Sequence, residues 1–429
     1  MKPIGVTHAP LDPRLRHPTP LVAPPRSSAI VRGMRGTAHS LDDNTAVRLY
    51  AVILSLLHTL TGIAWLTYRH IPKLATSPRA ICWPLFPGCA SWRNHFDAHH
   101  VMAALVVYMA LGLVAATLFA LRRRRAGLVV LVVTALLGAA LYALDYRLRF
   151  NQIYMFSWVM VVFLLVRDKL VALQALVAAF YFWAGTLKLN HEWVSGAALY
   201  AKPWLVPPSL VPTSCVYVLV LELVLVWGLF STRSRVRWLV YAQLVLFHVV
   251  SFGVVGYFYP LLMLGLGAAY PLGWLSNQAL AMHPSSLPRG SVLATVGVFS
   301  LFQLVPHLYP GDTAVTGEGR LFALHMFDAR IECTGGATLV APDGSTEFRA
   351  LIDDTADLRT RCDPLGLYGT ARWRCNELAQ RGDSRRLDVS VAARRTTDGT
   401  FHPLMNVQDF CNAELAYSPR RHNAWIATY

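Results

Sequence analysis

The sequence is short of lysine: only five Lys stand against 34 Arg in 429 residues. Acid is scarce through residues 1–311, which hold 8 Asp/Glu against 25 Lys/Arg, a net of +17. Residues 312–429 hold 16 Asp/Glu, 14 Arg and no Lys, a net of −2. The basic excess shows no basic face interleaved with aromatics, so nucleic acid is not an expected partner; membrane orientation and anionic lipid account for it better. The first 45 residues lack the apolar core of roughly 7–15 residues that a secretory signal needs. The first membrane helix is therefore expected to act as the insertion signal. No CxxC or Cys/His spacing suited to zinc occurs, and no metal is expected. Internal repeats are missing, and so are paired Gly/Pro-broken helices in two matching halves, which argues against a secondary transporter.

Long apolar runs, by contrast, are plentiful. Hydrophobic residues make up 55% of the chain, and the mean hydropathy is positive. About 20 apolar helical residues cross the roughly 30 Å of bilayer hydrocarbon. Nine windows meet that description, near 46–67, 101–121, 127–146, 150–166, 168–187, 213–231, 236–256, 259–277 and 291–309. With the N-terminus cytoplasmic, inner segments carry 17 Lys/Arg and outer loops eight. That bias predicts a cytoplasmic N-terminus and, after nine crossings, an extracytoplasmic C-terminal segment. Residues 1–45, rich in Pro and Arg, read as a disordered cytoplasmic tail. The expected architecture is mostly α: a polytopic bundle over 46–309, with a small α+β or β-rich extracytoplasmic domain over 310–429.

Cysteine placement bears on the same topology. Cys82 and Cys89 fall in the first outer loop, and Cys333, Cys362, Cys375 and Cys411 in the C-terminal segment; Cys215 alone lies in a predicted helix. Six of seven on the oxidising side predicts disulfides, with three connectivities open to the four tail cysteines. In that segment, "APDGS" and "TTDGT" are hairpin signals flanking a helical stretch near 368–379.

Ionisable groups inside membrane helices are costly and tend to mark function. Four places stand out: Lys188 at the outer end of the fifth helix, Glu222 within the sixth, His248 within the seventh and Asp145 at the end of the third. Each has a structural reading. Lys188 can snorkel beside Trp193, Glu222 and His248 can bond across helices, and Asp145 can pair with a neighbouring arginine. His95, His99 and His100 in "NHFDAHH" read as a helix start around Asp97 rather than a metal site. The scarcity of lysine sets Lys188 apart, since lysine can lose its proton when desolvated and arginine effectively cannot.

The stretch "YFWAGTLKLNHEWVSG" (181–196) resembles the signature of vitamin K-dependent γ-carboxylases and of the wider horizontally transferred transmembrane domain proteins. "RFNQIY" (149–154), "FHVVSFGVVGYFYPLLML" (247–264) and "FQLVPHLYPGDTAVTGEGRLFALHM" (302–326) are similar to further family segments in the same order. The resemblance implies that Lys188 is the base toward a reduced naphthoquinone such as reduced vitamin K. It places Asn151, Gln152, Tyr154, Trp193, Glu222 and His248 around the quinone. O₂ then yields an epoxide through a strongly basic alkoxide, which removes a γ-proton from a glutamate of a protein substrate, and CO₂ adds. A lysine side chain in water keeps its proton up to a pH of about 10.4, so it needs burial or a nearby cation to serve as base. Three departures stand out. Leu187 replaces a second lysine, Gln152 stands where the family has histidine, and Ser251 where it has asparagine. The part after about 345 does not match the carboxylase peptide-binding region. The rival expectation is a non-catalytic protein that binds quinone or lipid, or recruits a partner protein through its C-terminal domain.

Overall fold

The computed structural model describes residues 41, 44–86, 88–199, 201–278, 280, 290–326, 330–352 and 361–428. The expected tail over 1–45 lies outside the described residues except at 41, 44 and 45. Among the described residues, nine apolar helices make the bundle: α1 Thr45–Arg69, α2 Ala98–Ala120, α3 Arg124–Tyr142, α4 Asn151–Leu165, α5 Lys169–Leu187, α6 Pro208–Phe230, α7 Ser234–Val255, α8 Phe258–Leu275 and α9 Gly290–Leu308. The protein is a multi-pass membrane protein by this measure, since eight of these helices have the length and hydropathy to cross a bilayer.

The exception corrects the expectation of nine full spans. At 15 residues, α4 is about 22 Å long by the usual helical rise, short of the roughly 30 Å of hydrocarbon. It still carries the chain from the end where α3 finishes to the end where α5 begins. Burial compensates for its length, with Met155, Val159 and Phe163 fully enclosed.

Local chemistry sets several boundaries. Asn44 caps α1, its side chain accepting the N–H groups of Ala46 and Val47. Asp97 caps α2 by accepting the N–H of His100 at 2.8 Å, so "NHFDAHH" is a helix start, as N-cap chemistry requires.

The C-terminal part builds an antiparallel sheet, ordered β2-β1-β3-β4, from β1 Ile331–Val340, β2 Thr346–Arg349, β3 Arg386–Arg395 and β4 His402–Val407. "APDGS" turns β1 into β2, pairing Val340 with Thr346, and "TTDGT" lies in the connection from β3 to β4. Helix α10, Pro364–Gln380, covers one face, with Leu367, Ala371 and Leu378 against Leu339, Leu387 and Val391. Disulfides join Cys82 to Cys89, Cys333 to Cys362 and Cys375 to Cys411, which selects one of the three tail connectivities. The sheet domain seats on the end of the bundle that carries the 70–97 loop. There Ile81, Tyr146 and Leu365 form a small core, and Tyr146 donates to Asp363 Oδ2 at 2.9 Å.

Candidate functional site

Lys188 is the residue at which α5 stops, and Gly185 explains what it meets. A Cβ on Gly185 would lie 2.9 Å from Leu223 Cδ2 and 3.1 Å from Glu222 Cβ. The bare glycine thus lets α6 close onto α5, as small residues do at membrane helix contacts. Just past that contact, Lys188 Nζ donates to Glu222 Oε1 at 2.7 Å and Oε2 at 2.5 Å. Both side chains are enclosed, at 2% and 0% exposure. The ammonium also stands 5.2 Å from the Trp193 ring, a cation–π distance. Lys188 is therefore not a snorkelling interfacial cation.

The turn after Lys188 is stapled by its own side chains. Asn190 caps the short helix His191–Ser195, accepting the Trp193 N–H at 2.8 Å, and donates to the Leu187 carbonyl. The Trp193 indole N–H donates to the Cys215 carbonyl on α6 at 2.9 Å.

Against this turn lies an apolar cavity of about 630 Å³, mouth included. Lys188, Trp193, Cys215, Phe247, Tyr259 and Met326 line it, with aliphatic residues of α6, α7 and the 199–206 loop. That loop is fastened over α7. Trp204 donates its indole N–H to the Val249 carbonyl at 2.9 Å, and its ring and backbone fill the space a Gly253 side chain would need. A second cavity of about 930 Å³, mouth included, adjoins the 187–190 turn and has mixed walls, with Asn190, Gln303, Asp312, Glu318 and Arg320 beside apolar residues such as Trp183 and Leu324.

The remaining sequence candidates are spread out. His248 is buried, its Nε2 2.7 Å from the Tyr181 hydroxyl. It packs on Tyr259, ring centres 5.4 Å apart, so it sits one ring behind the cavity wall. Ser251 lines the cavity and donates to the His248 carbonyl. Asn151 and Tyr154 do not line it. Asn151 brackets His325, accepting its N–H at 2.9 Å and donating to its carbonyl, while Tyr154 donates to the Phe322 carbonyl at 2.6 Å. Together with Gln303, which accepts the Leu324 N–H, they brace the segment that ends in the cavity residue Met326. Gln152 is half-buried on the first turn of α4 and is not among the cavity-lining residues. Asp145 is a structural clamp: fully buried, it accepts from Arg147 at 2.9 and 3.0 Å and from the Ile81 N–H at 3.2 Å.

Sequence reasoning missed Gly185, Cys215 and Glu192. Glu192 is enclosed at 1% exposure, and the scarcity of acid in residues 1–311 was the signal that could have found it. Among the described residues no cluster of three or more metal-ligating side chains forms. No family model, curated protein or solved structure matches the chain.

Proposed function

We propose that the chain is a carboxylase-like membrane protein that binds a reduced naphthoquinone in the apolar cavity, with Lys188 as base and Glu222 as its proton partner. The observation that carries this reading is a buried ion pair at an apolar cavity, Lys188 lining the cavity and Glu222 standing behind it. Burying two charges costs several kcal/mol per ion after relaxation, and a hydrophobic pair would often serve stability better. Retaining the pair therefore points to chemistry. Because the amine and carboxylate touch, a proton can pass between them without creating net charge, leaving a neutral amine toward the cavity. An arginine could not do this.

The residues fit a flat, apolar ligand with one polar edge. Trp193, Phe247 and Tyr259 offer aromatic walls for such a ring. A reduced naphthoquinone would supply reducing equivalents, O₂ converting it to the epoxide and water, and in carboxylases this oxidation is coupled to addition of CO₂ to a protein glutamate. This chain's part is to exclude water, hold the ring and accept a hydroxyl proton at Lys188 Nζ. The charge bias and the gathering of all three disulfides at the sheet end support a cytoplasmic N-terminus and an extracytoplasmic C-terminal domain. A protease-accessible tag after Tyr429 on intact cells is the expected topology result.

Purified protein given reduced vitamin K and O₂ yields quinone epoxide on this reading, and Lys188→Ala abolishes it while expression holds. Labelled bicarbonate incorporated into a Glu-containing peptide marks the full carboxylase. The second reading, a non-catalytic quinone or lipid binder, is favoured by the completeness of the Lys188–Glu222 pairing. It predicts no epoxide above mock membranes, yet slower alkylation of Cys215 when quinone is present.

A further inference from the structure

We infer that Glu192 is a positioning residue through which the C-terminal sheet holds the Lys188–Trp193 turn against the apolar cavity; the inference rests on that cavity being the ligand site. Glu192 lies four residues after Lys188, in the short helix His191–Ser195 and next to Trp193, and its carboxylate is enclosed. Its partners all come from the sheet domain. Oε2 accepts the Arg330 N–H at 3.0 Å and an Arg395 Nη1–H at 3.3 Å, and Oε1 accepts the Thr396 hydroxyl at 2.7 Å. Arg330 stands immediately before β1, and Arg395 and Thr396 at the end of β3. Thr396 N–H donates to the Arg330 carbonyl at 3.0 Å, so the two chain ends form one hydrogen-bonded corner.

The same corner grips the turn twice more. The Arg330 guanidinium donates to the carbonyls of Ala197 and Leu199 at 3.4 and 3.2 Å, and Leu199 lines the cavity. Asp312 fixes Arg395 from the opposite side, accepting at 2.9 Å. Inside the turn, the Glu192 carbonyl accepts the Ala198 N–H at 2.9 Å, so the grip on the carboxylate is passed along the backbone to both lining residues, Trp193 and Leu199. A buried carboxylate is tolerated only with such paired donors. Here they arrive from residues 138 to 204 positions later in the chain. The arrangement ties the extramembrane domain to the wall of the membrane cavity. A plain structural anchor would change stability and leave the cavity as it is; a positioning residue changes access to the cavity.

Cys215 supplies a readout that needs no turnover. It lines the cavity beneath Trp193, and the other six cysteines are disulfide-bonded. The full-length chain in detergent is treated with an apolar maleimide, and the alkylation rate of Cys215 is measured against a Cys215→Ser blank. Glu192→Ala is expected to label at least about fivefold faster, since several hydrogen bonds to a charged group are lost together. Glu192→Gln, which keeps one acceptor oxygen, for Thr396 or for the Arg330 N–H but not for both, falls between it and wild type. Arg386→Ala, at the far end of β3, labels at the wild-type rate. Equal rates in wild type and Glu192→Ala, with the melting profile still showing a folded sheet domain, overturn the inference. If Glu192→Ala does not fold, Thr396→Val is read in its place, with about a twofold rise expected and an unchanged rate decisive against. A 2,3-substituted naphthoquinone that fails to slow labelling of wild type would count against the ligand reading, while the difference between variants would still report on Glu192.

Discussion

The membrane half and the C-terminal sheet use charge in opposite ways. In the sheet domain, ion pairs are numerous and wet. Arg394 reaches Glu332 with side chains 30% and 46% exposed, and Arg386 reaches Asp388 at 48% and 24%. Such pairs have a median worth of about 0–1 kcal/mol, and losing one leaves a hydrated partner behind. In the bundle, Lys188 and Glu222 are sealed from solvent, and removing either leaves the other stranded. The number of ion pairs in a region is therefore a poor guide to their importance; enclosure decides it.

Four measurements test whether enclosure sets the worth of a charge here. The largest effect is expected from truncating one member of the buried pair. Glu222→Ala or Lys188→Ala should cost about 3–5 kcal/mol, as breaking buried pairs does, read as a large drop in thermal stability in detergent. The double variant Lys188→Met/Glu222→Leu should recover most of that loss while remaining inactive in the epoxide assay. If it is no more stable than the singles, enclosure is not the reason for their cost.

Next comes the double variant Cys375→Ser/Cys411→Ser. Opening a link between residues 36 apart should cost roughly 3–4 kcal/mol. The loss should fall on sheet-domain unfolding and leave Cys215 alkylation unchanged. Third, Gly185→Ala puts a methyl group against Leu223 and Glu222, where overpacking typically costs about 1–3 kcal/mol. It should prise α6 away and raise Cys215 labelling. The smallest effect is expected from Arg394→Ala, at most about 1 kcal/mol. A cost equal to that of Glu222→Ala would erase the contrast between the two regions.

Much of the scaffold was legible because the bilayer imposes one rule on every span. Apolar runs of sufficient length marked each helix within a few residues, and Asp97 marked the start of α2. The hairpin turns were readable because "DGS" and "DGT" have local turn chemistry. The shortness of α4 was hidden, because its apolar window continues past the helix end into Val166. Disulfide pairing depends on the sheet register and on α10, which no local pattern encodes.

The candidate site was legible in part. Glu222 stood out as a lone acid in an apolar run, but its partner became clear only through Gly185, a residue significant for what it lacks. The scarcity of lysine was a weaker signal than it looked: Lys169 is equally enclosed, at 2% exposure, and simply donates to the Val166 carbonyl at 2.6 Å. Asn151 and Tyr154 were assigned to the pocket by resemblance, whereas their polar atoms bind the backbone of residues 322–325, a contact between segments 168 to 174 positions apart.

The strap formed by Trp204 over Gly253 has a practical consequence. With Trp204 bonded down onto α7 and aliphatic residues of α6 and α7 lining the cavity, the proposed apolar ligand is expected to enter sideways between those two helices, from the lipid. A ligand using that doorway is dissolved in the surrounding film, so occupancy should follow its mole fraction among lipid or detergent molecules. Adding empty micelles at constant bulk ligand should then weaken apparent binding by simple dilution in two dimensions.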